Sequence, residues 1–250
     1  MERKERVFNP KAKEPFAVSR SKIDLFCQCP RCFYLDQRLG VGRPSWPAFT
    51  LNIAVDALLK KEFDLHRTNG EPHPLMSHYG IKAVPFSHPR MKEWRENFVG
   101  LRFLHPLTNL VIFGAVDDIW VTEDKILVVV DYKATSTSAK IDLNDKWKEA
   151  YKRQMEIYQW LLRHQEDLKK DGYRVSPKGF FVYANAKKDE KAFDGKLEFK
   201  VEIIPYLGDD SWVEKKIIEM KECLLAEKIP EPASDCEYCV YRSDAKKYEK

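Results

Sequence analysis

Apolar and polar residues fall into blocks along the chain, and the blocks predict a mixture of strands and helices. The densest block is GAVDDIWVTEDKILVVVDYK, Gly114 to Lys133. It predicts two strands joined by the polar turn Thr122 to Lys125. Ile126 to Val130 is an unbroken apolar run rich in β-branched residues, the pattern of a strand buried on both faces. GFFVYAN (179–185) is a second buried strand, and LEFKVEIIPY (197–206) alternates as a half-exposed strand does. Strands are thus expected near 109–121, 125–133, 178–184 and 197–205, with an edge strand within Trp94 to Leu104 feeding the hairpin. Helical periodicity covers 19–39, interrupted or restarted at Pro30, and then 51–67, 144–170 and 209–228, with Asn144 or Asp145 as cap for the third. Residues 1–18 are expected to form a loosely packed arm, 40–50 a connector, 68–92 a long irregular loop, and the C-terminal tail to fray. These elements predict one α/β domain over residues 1–250, a central mixed β-sheet flanked by helices.

Composition narrows the function classes. The chain is 33% charged and 44% hydrophobic, with a net charge of only +4. A nucleic-acid surface must therefore come from local clustering, such as Lys146, Lys148, Lys152 and Arg153 on one helix. A solvated helix face accounts for that cluster equally well. No apolar run approaches the roughly 18 residues a membrane helix needs. The N-terminus, MERKERVFNPKAKEP, lacks the apolar core of a signal peptide. Both point to a cytoplasmic protein with no membrane partner, whose cysteines are thiols or metal ligands rather than disulfides. Neither a Walker loop nor a Ser-His-Asp constellation is present.

The candidate chemistry sits at the end of the buried strand. Asp131 and Lys133 are two apart, so they point to the same side, and Asp117 lies on the neighbouring strand. Carboxylates and a lysine at the end of a buried sheet are costly to desolvate unless partnered. A hard divalent cation such as Mg²⁺ resolves that cost and suits phosphodiester hydrolysis; a salt-bridged hairpin end is the plain alternative. Gln154 and Tyr158 share a helix face at i, i+4. Asp56, in the middle of the 51–67 helix, is a further oxygen ligand, or else pairs in water with Lys60 at i+4. His66, His73, His78 and His88 fit no metal template and read as surface residues. Cys29-x-x-Cys32 and Cys236-x-x-Cys239 are two pairs at metal-ligand spacing, open to zinc or an iron–sulfur cluster. A shared site would clasp the segments 27–32 and 236–239 together and offset the entropy of closing so long a loop. Cys223 reads as a core residue.

Gly-x-Val-Asp, a turn, an apolar strand and Asp-Tyr-Lys resemble motifs II and III of the PD-(D/E)XK nuclease superfamily, in its RecB-like branch with the CRISPR-associated exonucleases. Val116 stands where the family name has proline. The resemblance runs from about Ser19 to Cys239, with Gln154-x-x-x-Tyr158 similar to motif IV. It implies a restriction-endonuclease-like core and a Mg²⁺- or Mn²⁺-dependent deoxyribonuclease, acting as an exonuclease on single-stranded DNA ends. It implies Asp117, Asp131 and the backbone carbonyl of Tyr132 as metal ligands, with Asp56 where relatives carry a ligating histidine. Lys133 would orient the attacking water or stabilise charge on the phosphate, supported by Gln154 and Tyr158. It favours a [4Fe–4S] cluster over zinc, although relatives place one cysteine upstream and three downstream. Here two and two are available, with Cys27 an alternative upstream ligand. Partners would be DNA and other nucleic-acid-processing proteins, in repair, recombination or CRISPR adaptation. The rival reading is a catalytically inactive module of the same fold that binds DNA or protein.

Overall fold

The computed structural model describes residues 7–44 and 49–249, with only the backbone of residue 146. The chain divides into two compact units. The first takes in the residues up to Pro47, Phe103–Phe113 and those from Ser211 onward; the second takes in Ala48–Arg102 and Gly114–Asp210.

In the first unit, β1 (Phe16–Ser19) leads into α1 (Arg20–Gln28) and α2 (Pro30–Leu39). The 1–18 arm is thus partly ordered. Phe8 is buried and its amide donates to the Gln37 carbonyl at 2.7 Å. Pro30 opens α2 at its first turn, where a missing N–H costs nothing. β3 (Leu101–His105) and β4 (Leu110–Gly114) join β1 in a three-stranded sheet ordered β1-β4-β3, with β1 parallel to β4. α1 and α2 pack on each other and on α8 (Ser211–Leu225), which buries Val213, Ile217, Met220 and Leu224. His105, fully buried, is bonded to Thr108 at 2.9 Å and to Glu214 of α8 at 2.6 Å. α9 (Glu237–Ala245) runs into the start of the tail expected to fray, which begins at Ser243.

The second unit is built on the mixed sheet. α3 (Thr50–Asn69), α4 (Pro74–His78), β2 (Val84–Pro85) and α5 (Met91–Trp94) precede β5 (Asp118–Val121) and β6 (Ile126–Thr135). A 3-10 turn, Lys146–Lys148, leads into α6 (Glu149–Arg163) and α7 (Glu166–Lys170), then β7 (Arg174–Val175), β8 (Lys178–Ala186) and β9 (Phe199–Leu207). The strand order is β2-β5-β6-β8-β9, with β7 also on β6. β5 and β6 are antiparallel, β6 and β8 parallel, β8 and β9 antiparallel. The parallel step requires a crossover, and α6 supplies it. One sheet face buries Trp120, Val128, Val130, Tyr132, Phe180 and Val182 against Leu59 and Phe63 of α3. The loop expected over 68–92 contains the short elements α4 and β2, and β2 extends the sheet edge through β5.

The strand expected over 109–121 is two strands. It breaks at Ala115 to Asp117, and its halves join different sheets. Gly100, at φ 61°, lies where a Cβ would come within 2.3 Å of the Gly114 carbonyl oxygen, so side-chain-free backbone is required at this break. The edge strand expected in 94–104 likewise belongs to the three-stranded sheet rather than to the hairpin's. The helix expected over 144–170 is broken at His164 and Gln165, and neither Asn144 nor Asp145 caps it.

Candidate active site

The β5–β6 register pairs Asp118 with Val130, so one step outward sets Asp117 against Asp131. The Tyr132 amide donates to Asp117 Oδ2 at 3.0 Å, tying the carboxylate to the end of β6. The two neighbouring aspartates have different surroundings. Asp118 is fully buried and accepts from Arg67 at 2.5 Å, from the Tyr132 hydroxyl at 2.8 Å and from the Ile119 amide at 2.8 Å. Its lone pairs are occupied by structure. Asp117 keeps 20% of its side chain exposed and remains accessible.

Alternation along β6 sends Tyr132 into the core beside Phe63 and puts Asp131 and Lys133 on the opposite side. Asp131 is fully buried and forms an ion pair with Lys133. The Lys133 ammonium also donates to Gln154 Oε1 at 3.3 Å and lies over the Tyr151 ring at 4.5 Å. Gln154 Nε2 in turn donates to the Tyr158 hydroxyl at 3.2 Å. Gln154, Tyr158 and Tyr151 all come from α6, one turn apart, so a single helix face lines the lysine. Burial pulls the Lys133 pKa down, but the charges of Asp131 and Asp117 outweigh it and hold it above its ordinary value. The group is an ammonium at neutral pH.

Asp56 reaches the same place from α3, together with Lys60. Lys60 donates to Asp56 Oδ2 at 2.8 Å and to Asp117 Oδ1 at 3.3 Å. The i, i+4 pair was legible along the helix; its bridge to Asp117 was not. Burial and the charge of Asp117 push the Asp56 carboxyl above its usual range. Burial lowers Lys60, yet Asp117 and Asp56 together leave its pKa raised. Three carboxylates against two ammonium groups leave one negative charge unbalanced. That set of hard oxygens fits a divalent cation such as Mg²⁺ or Mn²⁺.

The structure also brings the four cysteines together. Their sulfurs lie within 4.8 Å of one another. Individual Sγ separations are 3.6 Å for Cys32 to Cys236, 3.7 Å for Cys32 to Cys239 and 3.9 Å for Cys29 to Cys239. Cys29 and Cys236 are the N-cap residues of α2 and α9, so each Cys-x-x-Cys pair opens a helix. Arg43 donates to Cys236 Sγ at 3.5 Å and stacks over Tyr238 at 4.5 Å. Burial pushes the Cys29 thiol up, but amide donors from Ala233 and Cys32 outweigh it and bring the pKa to about 7. Cys27 is outside this set. Burial raises the Cys223 thiol to about 11, as for an inert, partly buried thiol.

Other sequence candidates sit elsewhere. Lys148 pairs with Asp145 and Lys152 with Glu149, each at 2.7 Å, so these cations are engaged locally. His73 is no surface residue. It is buried, its Nδ1 accepts from the Leu75 amide at 3.0 Å to cap α4, and it stacks on Phe63 at 4.4 Å. His88 stacks on Trp94 at 4.4 Å. Among the described residues no helix is long and apolar enough to cross a membrane.

Comparison with known proteins places the chain. No curated protein matches it. Among the solved structures that resemble it distantly are two of comparable coverage. One is a protein from Eubacterium rectale provisionally named an exonuclease, 12% identical over 90% of this chain and 87% of that one, with a TM-score of 0.42. The other is SSO0001, 16% identical over 94% and 87%, with a TM-score of 0.34. Likenesses this weak carry no weight by themselves. The family model described as the PD-(D/E)XK nuclease superfamily, however, matches residues 50–243, well over half of the chain. The chain belongs to the PD-(D/E)XK nuclease superfamily.

Proposed function

We propose that this protein is a metal-dependent DNA nuclease, a RecB-like exonuclease that hydrolyses phosphodiester bonds at single-stranded DNA ends. The observation that carries the reading is the convergence of Asp117, Asp131 and Lys133 at one strand end, with Lys133 bonded to Gln154. Asp117, Asp131 and the Tyr132 carbonyl would hold Mg²⁺ or Mn²⁺, and Asp56, bridged to Asp117 by Lys60, would be a fourth oxygen ligand. A divalent ion bound there supplies a Lewis acid and lowers the pKa of an attacking water.

The chain's own residues do the rest. Lys133 is a cation aimed at where charge develops on the phosphate, and it donates a hydrogen bond to the water or a phosphate oxygen. Gln154 fixes the ammonium by accepting from it, and Tyr158 fixes Gln154. Asp118 holds Tyr132 and Arg67, keeping the strand end in register. Residues 1–250 act as one nuclease domain, whose cysteine segments are clasped by a metal. The resemblance to RecB-like enzymes supports the single-stranded, end-dependent substrate, a cytoplasmic setting, and work beside other nucleic-acid-processing proteins in repair or CRISPR adaptation.

The test is cleavage of end-labelled linear single-stranded DNA and of closed circles, with Mg²⁺ or Mn²⁺. Digestion of the linear substrate alone, lost in Asp131→Asn, is expected. Cutting of circles would make the enzyme an endonuclease. A folded protein that binds DNA and cuts neither would be the inactive binding module.

A further inference from the structure

We infer that the four thiols hold a single tetrahedral zinc ion, not the iron–sulfur cluster implied by the RecB-like resemblance. The inference deepens the metal clasp in the proposed function and is independent of the nuclease chemistry. Its first support is spacing. A zinc ion with four thiolate bonds of about 2.3 Å has sulfurs about 3.8 Å apart along each tetrahedral edge. The separations here are 3.6, 3.7 and 3.9 Å, and all four sulfurs lie within 4.8 Å of one another. A [4Fe–4S] cube has an iron at each of four corners, and each thiolate binds outward from its own iron. Its four sulfurs must therefore stand well beyond the edge of a one-ion tetrahedron. This cradle has the volume of one ion.

The second support is the arrangement of the ligands. Two Cys-x-x-Cys pairs, each opening a helix, form a symmetric two-plus-two set rather than one upstream cysteine and three downstream. Four thiolates around Zn²⁺ carry two net negative charges. Arg43, 3.5 Å from Cys236 Sγ, and the N-termini of α2 and α9 offset them. Arg43 is held over the Tyr238 ring and bonded to Gln28 Oε1 at 2.8 Å, so its guanidinium is fixed in place. It is the residue we assign to charge compensation, acting on the thiolates and not as a ligand.

The test is metal and acid-labile sulfide content, with the visible spectrum, of the whole chain purified without oxygen from cells supplied with both iron and zinc. Oxygen-free handling matters because a cluster lost to oxidation can leave its thiols to zinc. About one zinc per chain, no labile sulfide and no broad visible absorbance are expected. Replacing zinc by Co²⁺ should give the intense visible bands of tetrahedral thiolate coordination. Cys32→Ser and Cys236→Ser should each lose the metal, while Cys27→Ser keeps it. Arg43→Ala should keep the stoichiometry and surrender zinc to a chelator roughly tenfold faster, a factor worth about 1.4 kcal/mol. Iron and labile sulfide in near-equal amounts would overturn the inference, as would a chain with no bound metal. Loss of zinc from Cys27→Ser but not from Cys29→Ser would overturn the ligand set. None of these results depends on whether DNA is cut.

Discussion

Two clusters of ionisable side chains differ in how they meet their own charge. The oxygen cluster carries its counter-ions with it. Lys60 bridges Asp56 and Asp117, and Lys133 pairs with Asp131, so three carboxylates persist together on two tethered ammonium groups. The sulfur cluster has four thiols, with the Arg43 guanidinium as its one bonded cation among the described residues. Without metal, its charge is controlled by protons: burial raises Cys32 and Cys239, while amide donors lower Cys29 to about 7. A site whose charge is largely met by its own lysines is stable without metal and keeps one net negative charge for a cation to meet. A site of bare thiols becomes stable by holding its ion permanently. The first arrangement suits chemistry and the second suits a clasp.

Substitutions can break this contrast, the strongest first. Asp131→Asn should remove DNA cleavage, a loss of about a thousandfold or more, comparable with deleting a transition-state charge stabiliser. It should leave the zinc content unchanged. Cys32→Ser should do the reverse in kind: a large drop in Tm with loss of zinc, because binding energy at a structural site is folding energy. Calorimetry and metal analysis on both variants read the two effects separately.

Next comes the pair of adjacent aspartates. Asp118→Asn leaves Arg67 without its buried anionic partner and should destabilise the fold by about 3–5 kcal/mol. Asp117→Asn should cost little stability and most of the Mn²⁺ affinity. Urea unfolding and Mn²⁺ titration of both variants would show the two effects falling on different residues. If Asp118→Asn were the one to lose Mn²⁺ while Asp117→Asn kept it, the assignment within the pair would be reversed.

The smallest expected effect is the most specific to the oxygen cluster. Lys60→Met removes the bridge between Asp56 and Asp117. The metal-free protein should lose about 1–2 kcal/mol, as for a partly buried charged hydrogen bond. Mn²⁺ should bind more tightly, roughly tenfold, because a competing positive charge has gone. The Mn²⁺-induced rise in Tm should therefore grow. A weaker Mn²⁺ affinity in Lys60→Met would mean that the lysine positions the carboxylates for the ion instead of competing with it.

Much of this was legible in the sequence, and what was missed has identifiable causes. The apolar run Ile126 to Val130 and the two-residue spacing of Asp131 and Lys133 place those side chains because strand periodicity is strict. The Cys-x-x-Cys pairs are equally local signals. Periodicity is blind to sheet membership, so 109–121 reads as one strand although Ala115 to Asp117 divides it between two sheets. β1 was hidden in an arm rich in charge and proline, because its four residues are held by pairing with β4 rather than by their own pattern. Lys60 was visible as the i+4 partner of Asp56, but its second contact spans 57 positions in sequence. His73 reads as a surface residue because capping α4 depends on a helix of five residues, too short to show a period.

The most direct test of the central claim is Mn²⁺-dependent cleavage of end-labelled single-stranded DNA by wild type and by Lys133→Ala, each at saturating DNA. In the proposed function Lys133 is the charge that meets the phosphate, and removing it would leave Asp117 able to hold a metal. The account predicts shortening products from the wild type and none from Lys133→Ala, at equal DNA occupancy. Equal product from both, or none from a wild type that binds the DNA, would contradict it.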